Sequence, residues 1–382
     1  MNKDSVHKLS KWLLAVTMAV PASWAHADWV IGQVAPLSGA ASVQSKAYAQ
    51  GMNLYFNQAN RAGGVHGDRI RLVSADDRAS PEETVKQTQR LLQESKPIAL
   101  AGYFGNNNLL ALLDSKLLDQ AQISVVGFHS TDTRVLKASQ LFSTRAALPE
   151  EIEKIAKHLA TLGLTRLALV YDERQEQEAK VLEGSVGDMV AASGGKLLAS
   201  SMLKNGRAAQ EAVVDQLQKV DPGVQAIIVV ASSPVTAGFV ETYRMGGGAA
   251  QIYATSSADI EQLAMRLPPE LMRGVSIAQV VPNPYRSNNR LNKEFRDLVA
   301  KQSQGEALPV SYAMMEGYVN AKVLVEAMRR SQPLTSEKLT ESLRNLSSLD
   351  LGGYWVTFRQ GTQSGSKFVD LSIVNAQGRV TQ

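Results

Sequence analysis

The chain has no cysteine among its 382 residues. Disulfides, thiolate metal sites, cysteine nucleophiles and a lipid anchor on an N-terminal cysteine are therefore excluded. Histidine is nearly as scarce. Beyond residue 27 only His66, His129 and His158 remain, no pair has metal-ligand spacing, and no HExxH occurs. His66 falls in a glycine turn and His158 in a predicted helix, and neither position asks for a chemical role. After residue 27 no apolar run is long enough to cross a bilayer, which takes about 20 helical residues. Charge of one sign is missing too: 40 Lys and Arg stand against 36 Asp and Glu. The basic residues are scattered, so there is no patch for nucleic acid or a membrane surface.

The usual signatures of chemistry are also absent. There is no GxGxxG, no GxxxxGK[ST] and no GxSxG. Gly246-Gly247-Gly248 follows a predicted helix and reads as its end rather than a phosphate cradle. The acidic pair Asp76 and Asp77 reads as a solvated turn, and the acids of 172–178 as a polar surface stretch. An enzyme with scattered catalytic residues stays open as a minor reading. No cofactor or metal is implied.

What is present begins at the N-terminus. Lys3, Lys8 and Lys11 precede a short apolar core at 12–20, and Ala25-His26-Ala27 fits a small-x-small cleavage site. The expectation is a secretion signal over 1–27, a mature chain from Asp28, and a soluble protein in the periplasm.

From residue 30 the pattern alternates strand and helix. Strands are expected at 30–34, 70–74, 98–101 and 123–126, with helices at 42–59, from 80 and at 109–118. Ser80-Pro81-Glu82-Glu83 is a strong helix start, with Ser as cap, Pro in the first turn and Glu three residues after the cap. The pattern restarts with helices at 149–162, 177–192, 207–220 and up to 245, and strands at 166–170, 196–200, 226–230, 252–254 and 275–281. Three further helices are expected at 290–303, 311–330 and 336–346, then a β-rich tail over 354–380. A chain of this length usually divides, and two βα series imply two parallel sheets covered by helices. With no low-complexity linker between them, the chain should cross between two lobes more than once.

In open α/β sheets, ligands bind beyond the carboxyl ends of the strands. Four loops fall there. GYFGNNN at 102–108 brings Phe104, Gly105, Asn106 and Asn107 to a helix start, where free amides suit a carboxylate; plain helix capping is the competing reading. GFHSTDT at 127–133 offers Phe128 for apolar contact and His129, Ser130 and Thr131 for hydrogen bonds, or is a simple polar loop. Ser232 and Ser233 before one helix, and Ser256 at the next strand end, are either ligand contacts or caps.

This organisation resembles the Leu/Ile/Val-binding type of periplasmic binding protein, the solute receptors of branched-chain amino-acid ABC transporters. The marks are APLSGAAS at 35–42, NQANRAGGVHGDRIRLVSADD at 57–77, ASPEETVKQTQRLL at 79–92, SYAMMEGYVNAKVLVEAMRR at 311–330 and the GGYWVTF…GSKFVDLSIV tail. The resemblance implies two Rossmann-like α/β lobes, 28–147 plus 281–366 and 148–280 plus 367–382, joined by a three-crossing hinge with the ligand cleft between them. It implies a carboxylate anchor at Gly105 to Asn107 and an ammonium contact at His129 to Thr131. It also implies an acid where this chain has Ser256, and an aromatic near Glu176, which would offer a carboxylate instead. Gln44 stands where an aromatic is common, so the pocket should be more polar than one for leucine. The implied partners are a small amino-acid-like or organic-acid ligand and an inner-membrane ABC permease, with a membrane sensor as the alternative and no nucleic acid.

Overall fold

The structure is a computed structural model, and it describes residues 28–39, 42–173, 179–204, 206–302, 309–358, 364–375 and 380–381. The first series runs β1 Trp29–Ala35, α1 Ser42–Arg61, β2 Ile70–Asp76, α2 Pro81–Glu94, β3 Ala99–Phe104, α3 Asn106–Asp114, α4 Leu117–Ala121, β4 Val125–His129, α5 Thr133–Leu136 and β5 Leu141–Phe142. Its five strands are parallel, in the order β2-β1-β3-β4-β5. The second series runs α6 Leu148–Thr161, β6 Arg166–Asp172, α7 Ala179–Ala192, β7 Lys196–Leu203, α8 Arg207–Gln218, β8 Ala226–Val230, α9 Ser233–Met245, β9 Gln251–Ala254, α10 Ile260–Arg266, α11 Pro269–Met272 and β10 Val275–Gln279. The chain ends with α12 Arg290–Gln302, α13 Tyr312–Arg330, α14 Ser336–Arg344 and the short strands β11 Leu349–Asp350, β12 Trp355–Val356, β13 Asp370–Val374 and β14 Val380–Thr381. The second sheet has the order β14-β13-β10-β9-β8-β6-β7, parallel except for the antiparallel β13 and β14.

Both orders reverse beside the first strand of their series. In the first sheet β1 lies between β2 and β3; in the second, β6 lies between β7 and β8. Loops diverge to opposite faces at such points and leave a crevice at the strands' carboxyl ends. The arrangement is two parallel α/β lobes, as the alternation of elements predicts.

Local chemistry explains the element ends. Ser80 caps α2 by accepting from the Glu83 amide at 3.3 Å, and Pro81 occupies the first turn, where its missing N–H costs nothing. The strand-end loops are shorter than the sequence implies, because β3 continues to Phe104 and β4 to His129. Gly102 and Gly127 lie inside these strands with φ of +68° and +70°. A positive φ, which only glycine adopts easily, breaks the two-residue alternation of a strand. Val126 packs with the α1–α13 side of the core, yet Phe128, two residues on, packs with Leu109 and Leu112 of α3 on the opposite face.

Helix α13 returns to the first sheet and packs on α1. Gly51 and Gly317 allow this: a Cβ on Gly317 would lie 2.0 Å from the Tyr48 carbonyl oxygen, and one on Gly51 1.9 Å from that of Met314. The chain passes between the two sheets before α6, after β10 and before β13. Tyr354 ties these passages: its hydroxyl is 2.9 Å from the Thr144 carbonyl and 3.0 Å from the Val280 carbonyl.

A second tie links α10 to the segments that follow β10. Glu261 of α10 accepts from the Tyr285 hydroxyl at 2.5 Å and from the Tyr312 amide at 3.0 Å. Burial, with the neighbouring Asp259 adding to it, pushes the Glu261 carboxyl up to about 8. The folded protein thus holds a proton that the unfolded chain releases above about pH 4.3. Stability should fall as pH rises from there through 8. In thermal melts between pH 6 and 9, Glu261→Gln is expected to lose less Tm than the parent; parallel slopes would refute this.

Candidate functional site

The strand ends of the two sheets enclose a cavity of about 330 Å³. From the first lobe it is lined by Pro36, Gln44, Phe104 to Asn108 and His129 to Thr131, and from the second by Asp172 and Val230 to Pro234. Arg145, Ala146 and Ala147 of the first passage, with Glu151 of α6, close one side. The switch points of both sheets therefore face each other across it.

Helix α3 opens on this space. Gly105 is its cap residue, with φ of +101° and no side chain to satisfy the first-turn amides. Such free amides, with the positive end of the helix dipole behind them, form an anion-binding end. The asparagines that follow have different tasks. Asn106 accepts from the Ser130 hydroxyl at 2.9 Å and the Thr131 amide at 3.0 Å, and donates to the Thr131 hydroxyl at 3.2 Å. It pins the next loop. Asn108 is buried and donates to Asp77 at 3.1 Å and Thr84 at 2.8 Å. Asn107 is exposed at the cavity wall.

His129 stacks on Phe104 with ring centroids 4.3 Å apart. It belongs to a buried charge cluster that bridges the lobes. Arg145 Nη1 lies 3.0 Å from His129 Nδ1 and 3.5 Å from Glu316 Oε1, and Nη2 lies 3.4 Å from Glu151 Oε1. His129 Nε2 is 3.0 Å from Glu316 Oε1. Ser256 accepts from Arg145, and its amide donates to Glu151 Oε2 at 2.6 Å. Its hydroxyl is 2.8 Å from Glu151 Oε1. Burial works against the charge on Glu316, but Arg145 and His129 outweigh it and hold that carboxyl below its ordinary value. For Glu151 burial wins over Arg145 and Ser256, and its carboxyl is pushed up. Burial also lowers the His129 ring.

The cavity wall thus gathers Gln44, Phe104, Gly105, Asn106, Asn107, His129, Ser130, Thr131, Ser232 and Ser233. Phe128 requires a correction. It is 2% exposed in the core beside α3, because Gly127 turns it away from the cavity. Ser256 does not line the cavity either; Arg145 and Glu151 engage it, while Ser257 reaches the wall. Ser232 donates to Asp172 at 3.3 Å, and the buried Ser233 accepts from the Asp259 amide at 2.9 Å. Glu176 lies outside the described residues.

Sequence reasoning missed Arg145, Glu151, Glu316 and Asp172. One signal for Glu316 was available: an acid amid the apolar run of α13, buried on nearly every side. Glu151 looks like an ordinary first-turn acid, and Arg145 like a loop cation. The resemblance implies an acid at position 256; here the Glu151 carboxylate meets the serine that stands there. Among the described residues no cluster of metal-ligating groups is present, and no helix is long and apolar enough to cross a membrane.

Two parallel lobes with a cavity between their switch points define a two-lobed binding protein of type I architecture. Residues 28–377 match the family model described as periplasmic binding protein, and the chain belongs to that family. A substrate-binding periplasmic protein from Ralstonia solanacearum is 32% identical with a TM-score of 0.81, over 92% of this chain and 99% of that one. An extracellular ligand-binding receptor from Verminephrobacter eiseniae ef01-2 is 26% identical with a TM-score of 0.83, over 93% of this chain and all of the other (100%). An amino acid binding protein of Pseudomonas aeruginosa is 34% identical over 109 residues, 28% of this chain. That match spans 29% of the curated relative's length.

Proposed function

We propose that this protein captures a small carboxylate-bearing or amino-acid-like solute in the periplasm and delivers it to an inner-membrane ABC permease. The lobes would be 28–147 plus 281–366 and 148–280 plus 367–382, closing on the solute by a hinge motion, with 1–27 removed as a secretion signal. The observation that carries this reading is the uncapped start of α3 at the wall of a cavity between two switch points. A volume of about 330 Å³ fits a small solute, at the lower end of ligand pockets. The amides of α3 would hold a carboxylate, and Gln44 and Asn107 would contact its polar remainder. Family membership, and the likeness to a substrate-binding periplasmic protein and an amino acid binding protein, support the class.

A thermal-shift screen of amino acids, aromatic acids and small dicarboxylates tests it. At least one compound is expected to raise Tm by on the order of 5 °C at a hundredfold excess over Kd, with compaction in small-angle scattering. No shift and no compaction with any of them would defeat the reading.

A further inference from the structure

We propose that Asp77 is a positioning residue for solute capture: without touching the solute, its buried carboxyl fixes the turn after β2 and the start of α3 against each other, and so sets the shape of the cavity wall. This rests on the cavity being a solute site, and it adds what holds that site in place.

The acidic pair at the end of β2 is not the solvated turn that its sequence suggests. Asp77 is wholly buried, and its two oxygens face different segments. Oδ1 accepts from the Ala79 amide at 2.9 Å. Oδ2 accepts from the Thr84 hydroxyl of α2 at 2.8 Å and from Asn108 Nδ2 of α3 at 3.1 Å. Asn108 Nδ2 also donates to Thr84 Oγ1 at 2.8 Å. Asp77, Thr84 and Asn108 thus form a closed ring of three buried side chains. A satisfied buried network is rigid, and opening it is costly. Asp76 extends the arrangement: its Oδ1 accepts from the Arg78 amide at 2.9 Å and from the Leu37 amide, beyond β1, at 2.8 Å.

The ends of this network reach the cavity, and its middle does not. Ala79, Pro81 and Asn108 line the wall, whereas Asp77 and Thr84 do not. Arg78 and Ala79 have φ of +53° and +59°. Such left-handed backbone costs a residue other than glycine, and persists where its surroundings impose it. Here Asp76 and Asp77 impose it through the two amides. At α3, Asn106 is tied to the loop after β4 and Asn108 to Asp77, so the helix start is anchored on both sides of Asn107. The free amides of α3 serve an anion only where these anchors put them, because a binding site must be held to within about 0.5 Å.

Calorimetry on the intact protein tests this, with the tightest-binding compound of the panel of amino acids, aromatic acids and small dicarboxylates as the probe. Well below Tm nearly every molecule is folded, so a variant that has only lost stability keeps the parent's Kd. Asp77→Asn is expected to weaken binding about ten-fold or more, because whichever way the new amide turns, its N–H meets another donor. Thr84→Val should weaken binding too, by opening the ring from outside the cavity, and Thr84→Ser, which restores the hydroxyl, should bind like the parent. Parent affinity in either Asp77→Asn or Thr84→Val overturns the proposal and leaves solute capture standing. So does equal weakening in Thr84→Val and Thr84→Ser. A panel without any ligand overturns both. The Thr84 pair decides the matter even if Asp77→Asn does not fold.

Discussion

Gly317→Val is expected to leave little or no folded protein. The added carbons would start 2.0 Å from the Tyr48 carbonyl oxygen, and the obstacle is backbone rather than a side chain that can swing aside. On the other helix Gly51 meets Met314 at 1.9 Å, so neither helix has slack to offer. Relief requires separating α1 from α13 along a seam where Tyr48, Met52, Met314 and Tyr318 are wholly buried. A loss of about 3 kcal/mol or more is expected even for Gly317→Ala, at the upper end for overpacking. Gly184 of α7 is the control: nothing lies within 4 Å of its would-be Cβ. Gly184→Ala should be neutral or stabilise by up to about 1 kcal/mol. Denaturant unfolding of the alanine variants measures both values, and a Gly317→Ala protein as stable as the parent would show that the helices can part.

Arg145→Met is expected to cost about 3–5 kcal/mol at neutral pH, because it strands two buried carboxylates. The sign of its pH dependence separates this from lost packing. Without the guanidinium both Glu151 and Glu316 gain from protonation, so the deficit against the parent should shrink as pH falls from 8 to 5. The parent behaves oppositely at the acid end. Its Glu316 carboxyl is held low, so that contribution is present above the ordinary carboxylate value and is lost as pH falls through the depressed one. Adding Glu151→Gln and Glu316→Gln to Arg145→Met should recover much of the loss. A deficit independent of pH and unchanged in the triple variant would show that the site matters for shape rather than charge.

These two positions mark where reading the sequence works and where it stops. The run from Trp29 to Glu94 folds much as its pattern implies, because amphipathic periodicity, the Ser80 cap and glycine stops are local signals. The place of the cavity was also legible, since a βα series puts its ligand-facing loops at the carboxyl ends of the strands. Phe128 was not, because 127–133 reads as a loop whereas β4 runs on to His129, and Gly127 turns Phe128 to the far face of the sheet. Arg145, Glu151 and Glu316 were not, because a charge cluster assembled from three distant segments leaves no spacing in the sequence. Each looks ordinary alone, and only the packing of α6 and α13 against the first passage makes them one unit.

Tyr354 has a practical consequence. Its neighbour Trp355 is 57% exposed, and beyond residue 27 the chain has only one other tryptophan, Trp29. An indole emitter therefore stands one residue from the hydroxyl that joins the passages between the lobes. If 1–27 is removed and the lobes pivot there, Trp29→Phe leaves a protein whose intrinsic fluorescence follows the pivot without any attached label, in real time and at the point of bending.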